Sequence, residues 1–415
     1  MKSPTLMALA YGLLGMPLAM SALPVYVQIP AYYTTQLGLP LASTGLVLFF
    51  ARLLDTVQDP LLGRLIDRHQ HHIGRWLIAA AAVLAAAFFG LWLPPAFAVG
   101  SGLLMWLGLM LVLAYSAHSL LNIAYLSWGA RLSQSGHSDK AQTSLLGAAA
   151  WREGLSLAGL ILASLIPSFI LQQKNSQVNL ALNNYAIGFA ILLALSLASL
   201  LLYAPRWKAQ ASSTNPNLRV VLANPLFRRL LPIYFINSLS VSIPATLALF
   251  FINDRIQAPQ LSGYFLALYF ITGAIGLPLW IKLAKRYGCV AAWKLGMLLA
   301  ILSFVGCSFL SSGDVGAYFL ICAAAGLALG ADLALPPVLL AEIIPAEQPA
   351  ASYYGFWTLL GKLALAVSGL GLPLLALLQY QPGQASHSAS LVLLYAAVPC
   401  VLKLIALRLL HRYPS

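Results

Sequence analysis

The stretch Phe50-Ala-Arg-Leu-Leu-Asp-Thr-Val-Gln-Asp-Pro-Leu-Leu-Gly-Arg-Leu-Ile-Asp-Arg68 runs into a His-rich turn and then Gly74-Arg75. Its first part lies in an apolar run that starts near Leu39, yet it carries Arg52, Asp55 and Asp59. Spaced three and four residues apart, these three fall on one face of a helix. On insertion scales a charge at membrane depth costs about 2.5–3.5 kcal/mol, so three together require partners or a use. Leu46, Leu53, Leu54 and Val57 make the opposite, apolar face. The pattern predicts a membrane-crossing helix whose polar side walls an ion site.

The rest of the chain reads as housing for that helix. Of 415 residues, 60% are hydrophobic and only 8% charged, with a mean hydropathy of +0.85. A soluble domain carries roughly 25% charged residues, so this is a polytopic membrane protein. Apolar runs long enough to cross ~30 Å of hydrocarbon predict twelve helices, near 5–32, 40–65, 75–95, 99–129, 142–171, 183–204, 229–252, 261–284, 290–311, 315–344, 351–378 and 389–410. The long uninterrupted runs exclude a β-barrel, whose strands would alternate over short segments. The first run is too long for the apolar part of a cleaved signal peptide and is kept as a span.

Lys and Arg set the orientation. Lys2, the 64–75 turn, Arg131 and Lys140, the 206–229 loop, the 282–294 turn and the C-terminal end hold 18 of the 23 basic residues. The alternate loops hold Lys174 and Arg255, which predicts both termini in the cytoplasm of an inner or plasma membrane. The net charge of +13 is this topology signal, and the basic residues are not gathered on one soluble face as a nucleic-acid partner would need. The spans divide six and six about the one long polar segment. The expected organisation is an N-terminal bundle over 1–204, a central loop over 205–228 and a C-terminal bundle over 229–415. Gly63-Arg-Leu-Ile-Asp-Arg68 with Gly74-Arg75 has a counterpart in Lys282-Leu-Ala-Lys-Arg-Tyr-Gly288, as two related bundles would show. These are read as gating turns, with Gly63, Asp67, Arg68, Arg75, Lys285 and Arg286 as their residues. Parallel repeats of this kind are the architecture of the major facilitator superfamily, an all-α membrane fold.

Other ionisable groups at depth are Arg152 and Glu153 in the fifth span, Asp332 in the tenth and Lys362 in the eleventh, with Glu342 at the end of the tenth. Asp55 and Asp59 suit a monovalent cation, with Arg52 or Lys362 as the alternating counter-charge. A static salt-bridge network is the competing reading. Asp332 is expected to pair with a basic neighbour across the interface of the two halves. Among the aromatic residues in or near spans, Tyr354 and Trp357, within two turns of Lys362, are the strongest candidates to meet a solute. Prolines in the first, seventh and tenth spans predict bends. Gly326-Leu-Ala-Leu-Gly330 and Gly369-Leu-Gly371 predict close helix contacts. Cys289, Cys307, Cys322 and Cys400 lack metal-ligand spacing and read as small buried apolar residues. His69, His71 and His72 read as a solvated turn.

At Tyr11-Gly12, Ala51-Arg-Leu-Leu-Asp-Thr-Val-Gln-Asp-Pro-Leu-Leu-Gly63, Asn122-Ile-Ala-Tyr125, Arg152 and Trp357-Thr-Leu-Leu-Gly-Lys362, the chain resembles the glycoside-pentoside-hexuronide:cation symporters. The resemblance implies a twelve-helix fold with cation coupling. It implies that Asp55 and Asp59 bind Na⁺, Li⁺ or H⁺, that Ser119 lends a hydroxyl, that Lys362 mediates between cation and substrate, and that Arg152 lies at the sugar cavity. Asn122, Tyr125, Trp357 and Arg52 fall with these as substrate or coupling residues. Two carboxylates that grip sugar in melibiose permease correspond here to Ala19 and Asn122, so galactoside specificity does not carry over. Gly15-Met-Pro17 is more similar to the lysolipid transporter branch, which leaves an amphiphilic substrate open.

The expected function is cation-coupled movement of a small organic solute such as a sugar or glycoside, by a monomer in the bilayer. A lysolipid-like amphiphile transporter or a proton-coupled exporter is the alternative. No HExxH, GxSxG or P-loop element supports an enzyme, and no cofactor is expected beyond the coupling ion.

Overall fold

The computed structural model describes residues 4–131, 138–171, 175–204, 218–345, 348, 350–380 and 388–413. They are helical throughout, without strands among the described residues. In order the helices are α1 (Pro4–Gly12), α2 (Gly15–Ala31), α3 (Leu41–Arg68), α4 (Ile73–Trp92), α5 (Ser101–Arg131), α6 (Ser138–Leu171), α7 (Asn175–Tyr203), α8 (Leu218–Ala223), α9 (Pro225–Phe250), α10 (Ser262–Tyr287), α11 (Cys289–Cys307), α12 (Val315–Ile343), α13 (Ala350–Ser368), α14 (Gly371–Leu377), α15 (Ser388–Val392) and α16 (Val398–His411). The linker-like part of the central segment, 205–217, lies outside the described residues.

Among the described residues, nine helical segments are long and apolar enough to cross a membrane. The three predicted spans outside that set differ in an instructive way. The first is broken between α1 and α2, at Leu13–Leu14. The second, α3, carries Arg52, Asp55, Asp59, Arg64, Asp67 and Arg68 along its 28 residues. The eleventh, α13, mixes Lys362 with Ser, Tyr and Gly. α3 and α13 fall short on apolarity because they bear Arg52, Asp55, Asp59 and Lys362.

Two compact units form. One comprises Met1–Leu218 with Ile344–Phe356, the other Arg219–Ile343 with Trp357–Ser415, so the division falls inside α13. In the first unit α3 and α4 pack on α5, α2 packs on α6, and α4 packs on α7. Phe88 stacks on Phe189 at 4.0 Å between ring centres, with Trp92 and Tyr185 edge-on beside them. In the second unit α10 and α11 pack on α12, and α9 and α11 on α16. Phe251 and Tyr395 stack at 4.1 Å, and the Tyr318 and Tyr395 hydroxyls share a 3.0 Å hydrogen bond.

Local chemistry explains the junctions. Asn224 caps α9, accepting from the Leu226 and Phe227 amides at 3.0 and 3.2 Å, with Pro225 in the first helical position where no amide proton is needed. The Gly326–Gly330 run makes its close contact. A β-carbon on Gly326 would strike the Tyr269 carbonyl oxygen, and one on Gly330 would lie 2.7 Å from that of Gly273. Gly369 and Gly371 make no comparable approach, meeting only their own helix end and Leu247 at ordinary distance.

Candidate functional site

α3 presents its aspartates inward. Asp55 is 3% exposed and Asp59 0%, while Leu46, Leu53, Leu54 and Val57 on the other face are 47–59% exposed. Asp55 is gripped from α5, where Ser119 Oγ donates to Oδ1 at 2.9 Å. One turn along α3, Gln58 Nε2 donates to the same oxygen at 3.2 Å, and Ser116 Oγ donates to Gln58 Oε1 at 2.8 Å. A hydroxyl that has given its proton keeps its lone pairs. The neighbourhood therefore offers carboxylate, hydroxyl and amide oxygens, the donors a hard monovalent cation takes. Arg52 departs from the inward placement. It is exposed, with its guanidinium beside the Tyr115 hydroxyl.

Further along α5 the three-residue spacing Ser116, Ser119, Asn122, Tyr125 continues as a polar ridge. Asn122 is half-buried. Tyr125 donates to the Tyr11 carbonyl at 2.7 Å and Tyr11 to the Tyr125 carbonyl at 3.0 Å, with rings 4.5 Å apart. This reciprocal pair ties α1 to α5 and buries Tyr125 between them. Arg152 on α6 is buried, and its Nε and Nη2 donate to Glu153 Oε1 at 2.9 and 2.5 Å. A β-carbon on Gly12 would come within 2.7 Å of Trp151 Cβ, and one on Gly15 within 2.7 Å of the Arg152 carbonyl oxygen. Those glycines bring the α1–α2 break directly against the Arg152 turn.

At the far end of α3, Asp67 is a helix cap. Its carboxylate accepts from the amides of Ala351 and Ser352 at 3.1 and 2.7 Å and from Ser352 Oγ at 2.7 Å, meeting the orphan donors at the start of α13. Gly63 and Gly355 permit this approach. A β-carbon on Gly63 would collide with the Ala351 carbonyl oxygen, and one on Gly355 would sit 2.6 Å from that of Asp59. Arg68 and Arg75 are exposed, as are Lys285 and Arg286 at the end of α10, where Arg286 lies over the Tyr287 ring at 5.2 Å. His69 turns its Nδ1 to the Leu65 carbonyl at 3.0 Å, while His71 and His72 are exposed.

In the second unit Trp357 is buried and stacks on Tyr234 at 3.5 Å and 16°. Lys362 is half-buried one turn further on. Asp332 pairs with a basic residue of its own unit, not one across the half interface as expected: Lys403 Nζ lies 2.5 Å from Oδ2. Its other oxygen accepts from Asn237 Nδ2 at 3.1 Å and Trp293 Nε1 at 2.9 Å. Lys403 is 3% exposed inside α16 and does not belong with the basic C-terminal end where the charge count placed it. Basic groups within spans are then Arg52, Arg152, Lys362 and Lys403, set against Asp55, Asp59, Glu153 and Asp332. The tally is four against four, so the support for a bound cation is the placement of Asp55 and Asp59.

The family described as MFS/sugar transport protein matches residues 8–415. The chain belongs to this family. It is a transporter of the major facilitator superfamily, of the glycoside-pentoside-hexuronide group recognised in its motifs, and not an enzyme. Solved structures share the fold at low identity. A bacterial homologue of the iron transporter ferroportin, in an outward-facing state, superposes with a TM-score of 0.73 at 16% identity, covering 98% of this chain and 99% of that one. The E. coli fucose:proton symporter gives 0.67 at 14%, covering 99% and 98%. The proton:xylose symporter gives 0.68 at 14%, covering 99% and 95%. No curated protein sequence matches the chain.

In this MFS sugar-transport family member, sequence reasoning missed Gln58, Ser116, Trp293 and Lys403. Lys403 had a usable signal. With Pro399, Cys400, Ala406 and Leu410 it lies on the buried stripe of α16, at the three- and four-residue spacing of a core-facing side. Gln58 and Ser116 had none, because a polar side chain one turn from an acid is common on any helix.

Proposed function

We propose that this transporter couples movement of a small organic solute of the sugar or glycoside class to a monovalent cation, Na⁺, Li⁺ or H⁺, by alternating access. Asp55 and Asp59 take the cation and Ser119 supplies a neutral oxygen. Arg52, Asn122, Tyr125, Arg152, Trp357 and Lys362 serve substrate binding and coupling, and the turns at Gly63, Asp67, Arg68, Arg75, Lys285 and Arg286 gate the cycle. The chain acts as a monomer in a plasma or inner membrane with both termini cytoplasmic.

One observation carries this reading. Two carboxylates one turn apart are buried on the same side of α3, and Ser119 and Gln58 both point a proton at Asp55 Oδ1. A membrane potential of about 100 mV supplies ~2.3 kcal/mol per charge moved, enough for about fiftyfold accumulation with one coupled ion.

The test is thermal stabilisation of the purified protein by sugars, glycosides and lysolipids, each with and without Na⁺ at two pH values. A solute that stabilises more strongly with Na⁺ present identifies substrate and ion together. Loss of that Na⁺ increment in Asp55→Asn supports the assignment. An increment that persists in both Asp55→Asn and Asp59→Asn overturns it. Ala19 and Asn122, where sugar-gripping carboxylates are expected by resemblance, favour an amphiphile as the second reading. Stabilisation by lysolipid but by no sugar would establish that reading.

A further inference from the structure

The outer side of the first unit carries a groove between α4 and α7 that the transport reading does not use. It encloses about 340 Å³ and is lined entirely by Ile, Leu and Ala, among them Ile78, Ala81 and Ala85 on one helix and Ala190, Leu197 and Leu201 on the other. Ala81 and Leu197 form a buried floor, while Ile78 is more than half exposed. Both helices belong to segments able to cross a membrane, so the groove opens along a bilayer-crossing surface. At 1.5 Å per residue, its α7 wall from Ala190 to Leu201 runs about 16 Å. That matches one leaflet, half of the ~30 Å hydrocarbon core.

The groove has a charged end. Arg75, Ile78, Ala82 and Ala85 follow one another at three, four and three residues, so they form one stripe on α4. Arg75 is exposed at its head. At that same end Gly74 lies close enough to α7 that a β-carbon there would touch Leu201 Cδ2 at 3.9 Å. A slot of acyl-chain length and composition thus runs along α4 toward the exposed Arg75. Small alanines keep the slot open, since larger side chains at those positions would fill it.

We propose that this groove is a binding site for an anionic phospholipid, with one acyl chain between α4 and α7 and the phosphate on Arg75. The occupant is chosen by charge complementarity. A zwitterionic lipid gains little from Arg75, and basic residues at membrane-facing helix ends recruit anionic headgroups.

The experiment uses the full-length protein in detergent and counts bound lipid by native mass spectrometry during titration with dioleoyl phosphatidylglycerol or dioleoyl phosphatidylcholine. Phosphatidylglycerol is expected to bind more tightly, and Arg75→Gln, at an exposed position that does not threaten folding, to weaken it about fivefold while leaving phosphatidylcholine unchanged. Ala194→Phe, which fills the slot, is expected to abolish the preferential binding event. Equal retention of the two lipids, or wild-type phosphatidylglycerol binding in both variants, overturns the proposal. So does a dimer that Ala194→Phe dissociates, because the groove would then hold a second copy of the chain.

Discussion

Asp55 and Asp332 are the same residue type buried in helices of the two units, and their surroundings differ in kind. Asp332 is closed. Its two oxygens accept from Lys403, Asn237 and Trp293, three donors from three helices of its own unit. Asp55 receives a hydroxyl and an amide at Oδ1 from its own unit, and the hydroxyl has lone pairs to offer in turn. The first arrangement fixes a charge against a charge and holds α9, α11, α12 and α16 in register. The second orients a carboxylate through a hydroxyl and a side-chain amide. Burial alone therefore does not distinguish a working acid from a structural one in the membrane.

The contrast can be broken most forcefully at Lys403. Lys403→Met leaves Asp332 buried without its cation and is expected to lower unfolding stability by about 3–5 kcal/mol, measured by denaturant titration in detergent. Asp332→Asn combined with Lys403→Gln is expected to restore most of that loss. A double variant as unstable as the single one would mean that the pair does more than balance itself. Next comes Asp67, a third aspartate, which serves as a cap. Asp67→Ala strands two amides of α13 and a serine hydroxyl, at an expected cost of about 1–3 kcal/mol by the same titration. Ser119→Ala removes one hydrogen bond to Asp55 and should cost about 1 kcal/mol, together with a weaker response to Na⁺ in thermal-shift titration. Asp55→Asn should change stability least, within about 1 kcal/mol, because an amide of equal shape stays in contact with Ser119. Yet it is the substitution expected to abolish the cation response. If Asp55→Asn proved as destabilising as Lys403→Met, the two aspartates would be alike after all.

The sequence revealed these two sites unequally. The inward turn of Asp55 and Asp59 and the outward turn of Leu46, Leu53, Leu54 and Val57 followed from helical spacing, because a period of 3.6 residues sorts faces without knowledge of partners. Ser119 came from resemblance, and the structure places its hydroxyl on Asp55. The Asp332–Lys403 pair was half legible. The acid was conspicuous within an apolar run, but its partner lies 71 residues away, close to Arg408, His411 and Arg412, where a charge count favours the exposed end. Asp67 as a cap on α13 was beyond local reasoning, since it joins residues 284 and 285 positions apart. The break after Gly12 was missed for a related reason. It depends on how closely α1 and α2 approach Trp151 and Arg152, which only packing reveals.

The glycine seam between α10 and α12 has a mechanical consequence. Where Gly326 meets the Tyr269 carbonyl and Trp280 Nε1 donates to the Leu327 carbonyl at 2.7 Å, neither backbone has slack to slide or roll. The pair should behave as a single stiff rod, and its amides should be among the last in the molecule to take up deuterium.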